Sequence, residues 1–194
     1  MFKNLHLNQQ PNYPTFIPNV FSEKEINTLL DKIEPLPYHR AVVGEEEKIK
    51  DQIRRSNIKW LTEETFQETY FKLFDLIEDV NNQYYGFNLQ GAPEMIQYTE
   101  YNSNEKGYFN WHLDLGSGKI RYTQRKISVT ITLSDPDSYK GGDLDFLIGE
   151  SPIRSKRGIG SAIIFPSYLL HRVTPVTKGM RKSLVLWVGG CQFK

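Results

Sequence analysis

Residues 125–134, with the sequence RKISVTITLS, alternate between apolar and polar side chains from the isoleucine onward. Successive side chains of a β-strand point to opposite faces of the sheet, so the apolar side chains share one face and the Ser and Thr hydroxyls share the other. Residues 181–188, RKSLVLWV, show the same pattern, with Lys182, Leu184, Leu186 and Val188 on one face and Arg181, Ser183, Val185 and Trp187 on the other. The polar faces either meet solvent or line a pocket.

Short β-branched and aromatic runs surround these two segments from about residue 94 onward and are separated by Gly and Pro. This sequence pattern is typical of an all-β sandwich or barrel. The predicted strands are 94–101, 108–113, 126–134, 143–148, 151–155, 160–165, 170–174 and 181–188. A set of strands of this length predicts a double-stranded β-helix, or jelly roll.

The first third of the chain is predicted to be helical. Ser22 and Glu25 form a capping box ahead of an apolar stripe, and a second helix is predicted from Thr62 to near Gly86. Both stripes indicate packing faces rather than binding surfaces. We therefore predict an α+β fold in a single domain, 1–194, in which residues 1–90 form a helical support on one sheet of a jelly-roll core, 91–194.

The composition excludes several functional classes. The chain has 194 residues, with 24 Lys and Arg against 23 Asp and Glu, so it carries no net basic field for nucleic acid or an anionic membrane. It has one cysteine, the N-terminus lacks the apolar core of a signal peptide, and no apolar run could span a bilayer, so we expect a cytoplasmic protein. Residues 44–56, rich in both charges, predict an exposed loop or short hairpin.

His112 and Asp114 form a His-x-Asp pair in the β region, and side chains two apart on an extended strand project to the same side. Both could reach one metal ion. His171 is the other histidine of the β region and could complete a two-histidine, one-carboxylate set, which leaves positions open on non-haem Fe(II). A hydrogen-bonded surface pair is the alternative interpretation.

Arg181 and Ser183 follow His171 on the strand with a polar face. The planar guanidinium of arginine binds carboxylates through two hydrogen bonds, and a neighbouring hydroxyl adds a donor. An arginine exposed on a strand is the simpler explanation, but its place beside the metal candidates suggests an anchor for a dicarboxylate.

With these residues in place, the chain resembles the Fe(II)- and 2-oxoglutarate-dependent dioxygenases, specifically the prolyl 4-hydroxylase-like superfamily and its bacterial and phage-type hydroxylases. The resemblance covers most of the chain. It lies in RRSNIKWL (54–61), IQYTEY (96–101), WHLD (111–114), RKISVTITLSDPDSYKGGDLDF (125–146) and GSAIIFPSYLLHRVTPVTKGMRKSLVLWVGG (160–190).

This resemblance implies roles for individual residues. His112, Asp114 and His171 would bind Fe(II), and Arg181, helped by Ser183, would bind the distal carboxylate of 2-oxoglutarate. The remaining implied contacts to the cosubstrate pocket come from Tyr101, from Thr130 or Thr132, and from Trp187, although Tyr101 and Trp187 could equally be core aromatics. The interval from Tyr101 to His112 is longer than usual in the family, which leaves the alignment of Tyr101, Tyr108 and Phe109 open. The implied cofactors are Fe(II), 2-oxoglutarate and O₂, with ascorbate left open.

The predicted function is hydroxylation of a C–H bond in a protein or peptide side chain, prolyl 4-hydroxylase-like, with decarboxylation of 2-oxoglutarate to succinate. The alternatives are the same chemistry on a nucleobase or free small molecule, and a non-catalytic jelly-roll binding module. The loops 40–56 and 102–107 are candidates to cover the iron, and Arg54 and Arg55 are expected to form exposed salt bridges. The sequence gives no oligomeric state.

Overall fold

The computed structural model describes residues 13–41, 51–116 and 123–192. Its helices are α1, Glu23–Ile33, and α2, Gln67–Val80, which continues as a π-helical turn through Asn81–Tyr85. The predicted capping box is present, because the Ser22 hydroxyl accepts the Glu25 backbone N–H while the Glu25 carboxylate accepts the Ser22 N–H. The second helix begins later than predicted, since residues 62–66 form a turn in which the Phe66 N–H donates to the Thr62 carbonyl.

The strands in chain order are β1 Thr15–Ile17, β2 His39–Arg40, β3 Arg54–Arg55, β4 Asn57–Leu61, β5 Leu89–Gly91, β6 Ile96–Asn102, β7 Tyr108–His112, β8 Gln124–Thr132, β9 Lys140–Gly141, β10 Leu144–Leu147, β11 Pro152–Arg154, β12 Ala162–Pro166, β13 His171–Val173, β14 Val176–Lys178 and β15 Met180–Gly190. Every strand predicted after residue 90 is present, with boundaries shifted by one or two residues.

Two antiparallel sheets make up most of the fold. The major sheet has the order β1-β12-β8-β15-β6-β4-β2, with β5 also paired to β15, and the minor sheet has the order β11-β10-β13-β7-β3. Strands β9 and β14 form a separate pair. This is the predicted α+β double-stranded β-helix with helices on one sheet.

The apolar residues form two clusters, one on each face of the major sheet. On the outer face, α1 and α2 pack against the apolar side of the strands through residues that include Ile26, Leu73, Val129 and Leu184. The inner cluster lies between the sheets and includes Phe146 and Phe165 from the minor and major sheets. The alternation of β8 and β15 therefore assigns their polar faces to the space between the sheets.

The first ninety residues are less helical than predicted, because they contribute β1 to β5 as well as the helices. Strand β4 is an interior strand of the major sheet between β6 and β2, and β3 is an edge strand of the minor sheet. These strands are short and rich in Arg, Lys and Asn, so their periodicity gave no strand signal. Residues 42–50 of the predicted charged loop lie outside the described residues. None of the helices in the described residues is long and apolar enough to cross a membrane.

Candidate active site

A cavity between the two sheets brings together almost all of the residues singled out from the sequence. Its lining includes the predicted metal set, the predicted anchor and the accessory residues, namely His112, Asp114, His171, Arg181, Ser183, Tyr101, Thr130 and Trp187. Thr132 does not line the cavity, which leaves Thr130 as the hydroxyl of β8 that faces it. Neither the residues of the 102–107 loop nor Tyr108 reach this lining, whereas Phe109 does.

The three candidate metal ligands converge on one point. The Nε2 atom of His112 lies 3.5 Å from Asp114 Oδ1, and Nε2 of His171 lies 3.4 Å from Asp114 Oδ2. One ligand atom from each of the three residues lies within 4.8 Å of the others, and Asp114 and His171 are buried. Asp114 reaches this point from beyond the end of β7 rather than from an extended strand, because that strand ends at His112.

The hydrogen bonds of the two imidazoles determine which nitrogen is free. His112 Nδ1 lies 2.7 Å from the Asn110 carbonyl, and His171 Nδ1 lies 2.8 Å from the Leu169 carbonyl. A carbonyl only accepts hydrogen bonds, so both Nδ1 atoms carry a proton, and Nε2 is the nitrogen of each ring that faces the Asp114 carboxylate and can bind a metal. The donor set thus fits a divalent metal ion, and two imidazoles with one carboxylate suit Fe(II).

The environment of Asp114 fixes its orientation. Its Oδ2 accepts a 2.9 Å hydrogen bond from the Ser128 hydroxyl, which also pairs with Ser167 at 2.9 Å, and its backbone N–H donates to the Ser167 carbonyl. The indole N–H of Trp187 is buried beside this carboxylate but outside hydrogen-bond geometry. These contacts hold one oxygen of the carboxylate while the other faces His112.

The protonation states also favour metal binding. Burial raises the pKa of the Asp114 carboxyl, but the neighbouring His171 and His112 outweigh this and hold the pKa well below its ordinary value. Burial, together with the neighbouring His171, lowers the pKa of His112 from 6.5 to about 3, although Asp114 acts in the opposite direction. At neutral pH the carboxylate is therefore charged and the His112 imidazole neutral, which are the forms that bind metals.

Arg181 forms the other end of the cavity. Its guanidinium donates to the Ser183 hydroxyl at 2.9 Å and lies over the Tyr101 ring, with 5.4 Å from its central carbon to the ring centroid. The residue is only 4% exposed, and within the described ranges no carboxylate pairs with it. A buried cation is costly without an anionic partner, so this guanidinium is suited to an anionic ligand.

A glycine makes room for Arg181. Gly142 has a φ of +63°, and a Cβ at this position would lie 2.9 Å from Val176 Cγ2 and 3.0 Å from Arg181 Cδ. A larger residue would be strained in this backbone conformation and would displace the arginine side chain. Gly142 of the Gly-Gly pair before Asp143 thus leaves space for the Arg181 side chain, a role that the sequence did not predict.

Arg54 is buried, contrary to the prediction from the sequence. The prediction of an exposed salt bridge is wrong, because Arg54 is 7% exposed and lines the cavity. Its guanidinium donates to Ser56 Oγ at 2.8 Å and to Gln97 Oε1 at 2.7 Å, and it lies 4.8 Å from the centroid of the Phe109 ring. Arg54 and Gln97 are functional candidates that sequence reasoning missed. The available signal was the spacing of Arg54 and Ser56, which places both on one side of an extended segment.

Arg55 points elsewhere. Its guanidinium donates to the Glu105 carbonyl at 2.7 Å and lies near the Tyr108 ring, outside the cavity. Arg40 lies in the same region and forms ion pairs with Asp51 at 2.9 Å and with Glu105 at 2.6 Å. The 102–107 loop is therefore tied to the strands beside the cavity, although none of its residues lines the cavity.

A jelly roll whose cavity holds two histidines and an aspartate facing a buried arginine defines the class of non-haem iron oxygenases. A family model described as the 2OG-Fe(II) oxygenase superfamily matches residues 96–189. The match covers 94 of the 194 residues, including His112, Asp114, His171 and Arg181, and indicates a 2OG-Fe(II) oxygenase. This chain is accordingly a dioxygenase that uses Fe(II), 2-oxoglutarate and O₂, as the resemblance implied.

Curated relatives from several bacteria are named PKHD-type hydroxylases. A PKHD-type hydroxylase of Rippkaea orientalis is 28% identical over 179 residues, covering 89% of this chain and 76% of the relative. A PKHD-type hydroxylase of Teredinibacter turnerae is 36% identical over 100 residues, covering 50% of this chain and 44% of the relative. The second match thus spans less than half of that relative.

Solved structures agree with the fold. A prolyl hydroxylase from Trichoplax adhaerens, in complex with a peptide fragment of the hypoxia inducible factor oxygen degradation domain, has a TM-score of 0.75 at 16% identity. That match covers 91% of this chain and 83% of the other. A Pseudomonas putida prolyl-4-hydroxylase has a TM-score of 0.68 at 16% identity, with 92% and 93% covered. At this identity the likeness establishes the architecture alone.

Proposed function

We propose that His112, Asp114 and His171 bind Fe(II), that Arg181 and Ser183 bind the distal carboxylate of 2-oxoglutarate, and that the enzyme hydroxylates a prolyl side chain in a peptide or protein. The site assignment rests on one observation: two groups of side chains in the same cavity are suited to ligands of opposite charge. Two imidazole nitrogens and a carboxylate converge at one end, as the ligands of a cation do, and a buried guanidinium suited to an anion lies at the other end.

When bound, Fe(II) and 2-oxoglutarate supply the oxidation: one atom of O₂ enters the substrate C–H bond, and the other enters succinate as the cosubstrate loses CO₂. The protein holds these groups in place. Asp114 and the two imidazoles supply three ligands, which leaves open positions on a six-coordinate ion. Arg181 fixes the far end of the dicarboxylate, and this orients its keto acid end toward the metal side.

Two further side chains that line the cavity are suited to contact a substrate. Arg54 provides a buried positive charge that is held by Ser56 and Gln97, and Trp187 provides an aromatic surface. The outer face of the Trp187 ring is covered by Arg125, whose guanidinium lies 3.9 Å from the ring centroid and is held by Glu94 at 2.6 Å. A rigid aromatic wall suits a compact apolar ring such as that of proline, and Arg54 suits a neighbouring peptide carbonyl.

The names of the relatives support a peptide substrate, because one solved neighbour is a prolyl hydroxylase bound to a peptide. The test is incubation of the purified protein with Fe(II), 2-oxoglutarate and O₂ against pools of proline-containing peptides. Each pool is matched by one in which alanine replaces proline. We expect succinate formation with a gain of one oxygen atom in the proline pools alone. Oxygen gain in nucleosides or free amino acids instead would overturn the peptide assignment, and absence of succinate in every pool would overturn the enzymatic proposal.

The site assignment has its own control. Arg181→Met and His112→Ala are expected to abolish succinate formation for different reasons, one by weakening cosubstrate binding and the other by weakening metal binding. Equilibrium binding of 2-oxoglutarate and of the metal separates the two. If both variants bound both ligands as the parent does, the assignment would be wrong.

A further inference from the structure

The strand that carries His112 contains a β-bulge at the metal site. His112 pairs with His171 across the minor sheet, but Phe109 pairs with Val173, so Asn110 and Trp111 of β7 lie opposite the single residue Arg172 of β13. A bulge of this kind adds one residue to a strand and re-aims the side chains beyond it.

The bulge has a direct effect on the direction of His112. In a regular strand, side chains three positions apart point to opposite faces. Here Phe109 and His112 both line the cavity, with their ring centroids 3.4 Å apart. The carbonyl of the bulge residue Asn110 also accepts the Nδ1–H of His112, which directs Nε2 toward Asp114. Loss of the bulge would rotate His112 away from the other two ligands.

The backbone at the bulge has few bonds to the neighbouring strand β13. The Asn110 N–H donates to the Ile53 carbonyl on the other side, and the Trp111 N–H donates to the side chain of Asn110. Neither donor therefore pairs with β13. A side-chain contact connects β7 and β13 at the bulge, because the guanidinium of Arg172 lies 4.6 Å from the centroid of the Trp111 ring.

Arg172 is itself held rigidly from the third strand. Asp145 of β10 lies directly opposite Arg172, and its Oδ2 accepts hydrogen bonds from Arg172 Nε at 3.1 Å and Nη2 at 3.0 Å. Asp145 is 2% exposed, and its other oxygen accepts from Arg154 at 3.0 Å. None of Trp111, Arg172 and Asp145 lines the cavity. They form a brace on the other side of the minor sheet, one residue from each metal histidine.

We propose that Arg172, clamped by Asp145 and stacked on Trp111, is a positioning residue for the metal centre: it holds the bulge of β7 and thereby the direction of His112. This inference rests on the three-residue metal site of the proposed function, and it goes beyond that site by assigning a role to a side chain on the opposite face of the sheet. A planar guanidinium is needed, because it must pair with a carboxylate along its edge and stack through its face.

The test is Arg172→Leu, with Arg154→Leu as the matched control. Arg154 binds the same carboxylate, but it belongs to the edge strand β11, which does not pair with β7, and its other ion pair is with Asp143. The probe is Co(II) added to the metal-free protein, because its absorption spectrum reports coordination geometry as well as affinity. We expect Arg172→Leu to lower Co(II) affinity about tenfold and to change the spectrum, as removal of an indirect partner of a metal ligand does. Arg154→Leu should leave both unchanged.

A purely structural role would lower the unfolding temperature of Arg172→Leu without changing the Co(II) spectrum of the folded protein, and that result would overturn the proposal. Equal losses of affinity in both variants would also overturn it. If Arg172→Leu does not fold, Arg172→Lys decides, because lysine keeps the charge without the planar fork and is expected to give the same spectral change. Failure of the parent to bind Co(II) would instead contradict the metal site itself, so the two proposals fail in distinguishable ways.

Discussion

The two walls of the cavity are built differently. The anchor wall is the major sheet, where β15 pairs with β6 without interruption from Met180 to Val185, and alternation alone places Arg181 and Ser183 inside. The metal wall is the minor sheet, where the register between β7 and β13 shifts at the ligands and Asp114 lies beyond the strand end. A regular ladder is sufficient to direct a long, flexible side chain at a carboxylate. Convergence of three short side chains on one ion requires local departures from the ladder.

The largest effect is expected from the metal wall. Asp114→Ala removes the only carboxylate of the three ligands, so metal affinity should fall by more than about a hundredfold, beyond the range for partners that do not touch the metal. The metal-free variant should unfold at a lower temperature than the parent, because the lowered pKa of Asp114 means that the folded protein stabilises this carboxylate, and its removal leaves the Ser128 hydroxyl without this acceptor. Calorimetry with Co(II) and thermal unfolding measure both. A stable variant with parental metal affinity would exclude Asp114 as a ligand.

The anchor wall should affect cosubstrate binding without affecting the metal. Arg181→Met removes a charged hydrogen-bond donor, so 2-oxoglutarate affinity should fall about tenfold to a hundredfold. Ser183→Ala removes a neutral hydrogen bond and should cost about two- to tenfold. Titration of 2-oxoglutarate into the Co(II)-loaded protein measures these changes. If Arg181→Met weakened Co(II) binding as strongly as 2-oxoglutarate binding, the two walls would not be independent.

Ser128 joins the two walls, because it lies on β8 of the major sheet and donates to Asp114. Ser128→Ala should lower metal affinity about tenfold and leave 2-oxoglutarate affinity of the metal-loaded protein near the parental value. The exposed Ser138, whose hydroxyl donates to the Asp135 carbonyl, gives the matched control Ser138→Ala. Equal metal affinities in the two variants would show that Asp114 needs no support from the major sheet.

The last predicted effect concerns the pH dependence of metal-free stability. The pKa of His112 is lowered to about 3, so the unfolded chain takes up a proton near pH 6.5 while the folded protein does not. Stability present above pH 6.5 is therefore lost as the pH falls toward 3, with a slope of at most about 1.4 kcal/mol per pH unit. Glu25, whose pKa is lowered to about 2 by its bonds to Lys72 and Ser22, adds a loss that begins only near pH 4.5.

The window from pH 6.5 to 4.5 thus isolates His112 from Glu25. Denaturant unfolding of the metal-free parent and of His112→Asn at several pH values in this window is the measurement. The slope should be smaller in the variant, and Glu25→Gln should change the slope only below about pH 4.5. Identical slopes in the parent and His112→Asn would mean that His112 is not held neutral by burial.

The contrast between the walls also explains what the sequence could predict. Strict alternation on β8 and β15 predicted the apolar faces under the helices and assigned Arg181, Ser183, Thr130 and Thr132 to the opposite faces. Alternation could not show which of the two threonines lines the cavity. Thr130 does, because the extent of the cavity along β8 is determined by both sheets together. Tyr101 lines the cavity because β6 is regular and pairs Tyr101 directly with Arg181.

The metal wall was predictable in its residue types but not in its geometry. His112, Asp114 and His171 are recognisable as candidate ligands by chemistry, whereas the bulge opposite Arg172 depends on strand register, which no local pattern specifies. Arg54 was misassigned for a similar reason. Its neighbours are charged, so local composition indicated solvent, and its burial follows from pairing of β3 with the ligand strand β7.

The central claim is that one cavity holds a cation at His112, Asp114 and His171 and an anion at Arg181. The most direct measurement is an anaerobic crystal structure of the protein with Fe(II) and 2-oxoglutarate. We predict a single metal bound by Nε2 of both histidines and by the Asp114 carboxylate, with one carboxylate of 2-oxoglutarate paired to the Arg181 guanidinium and the Ser183 hydroxyl. A metal bound at other side chains, or 2-oxoglutarate bound away from Arg181, would contradict the account.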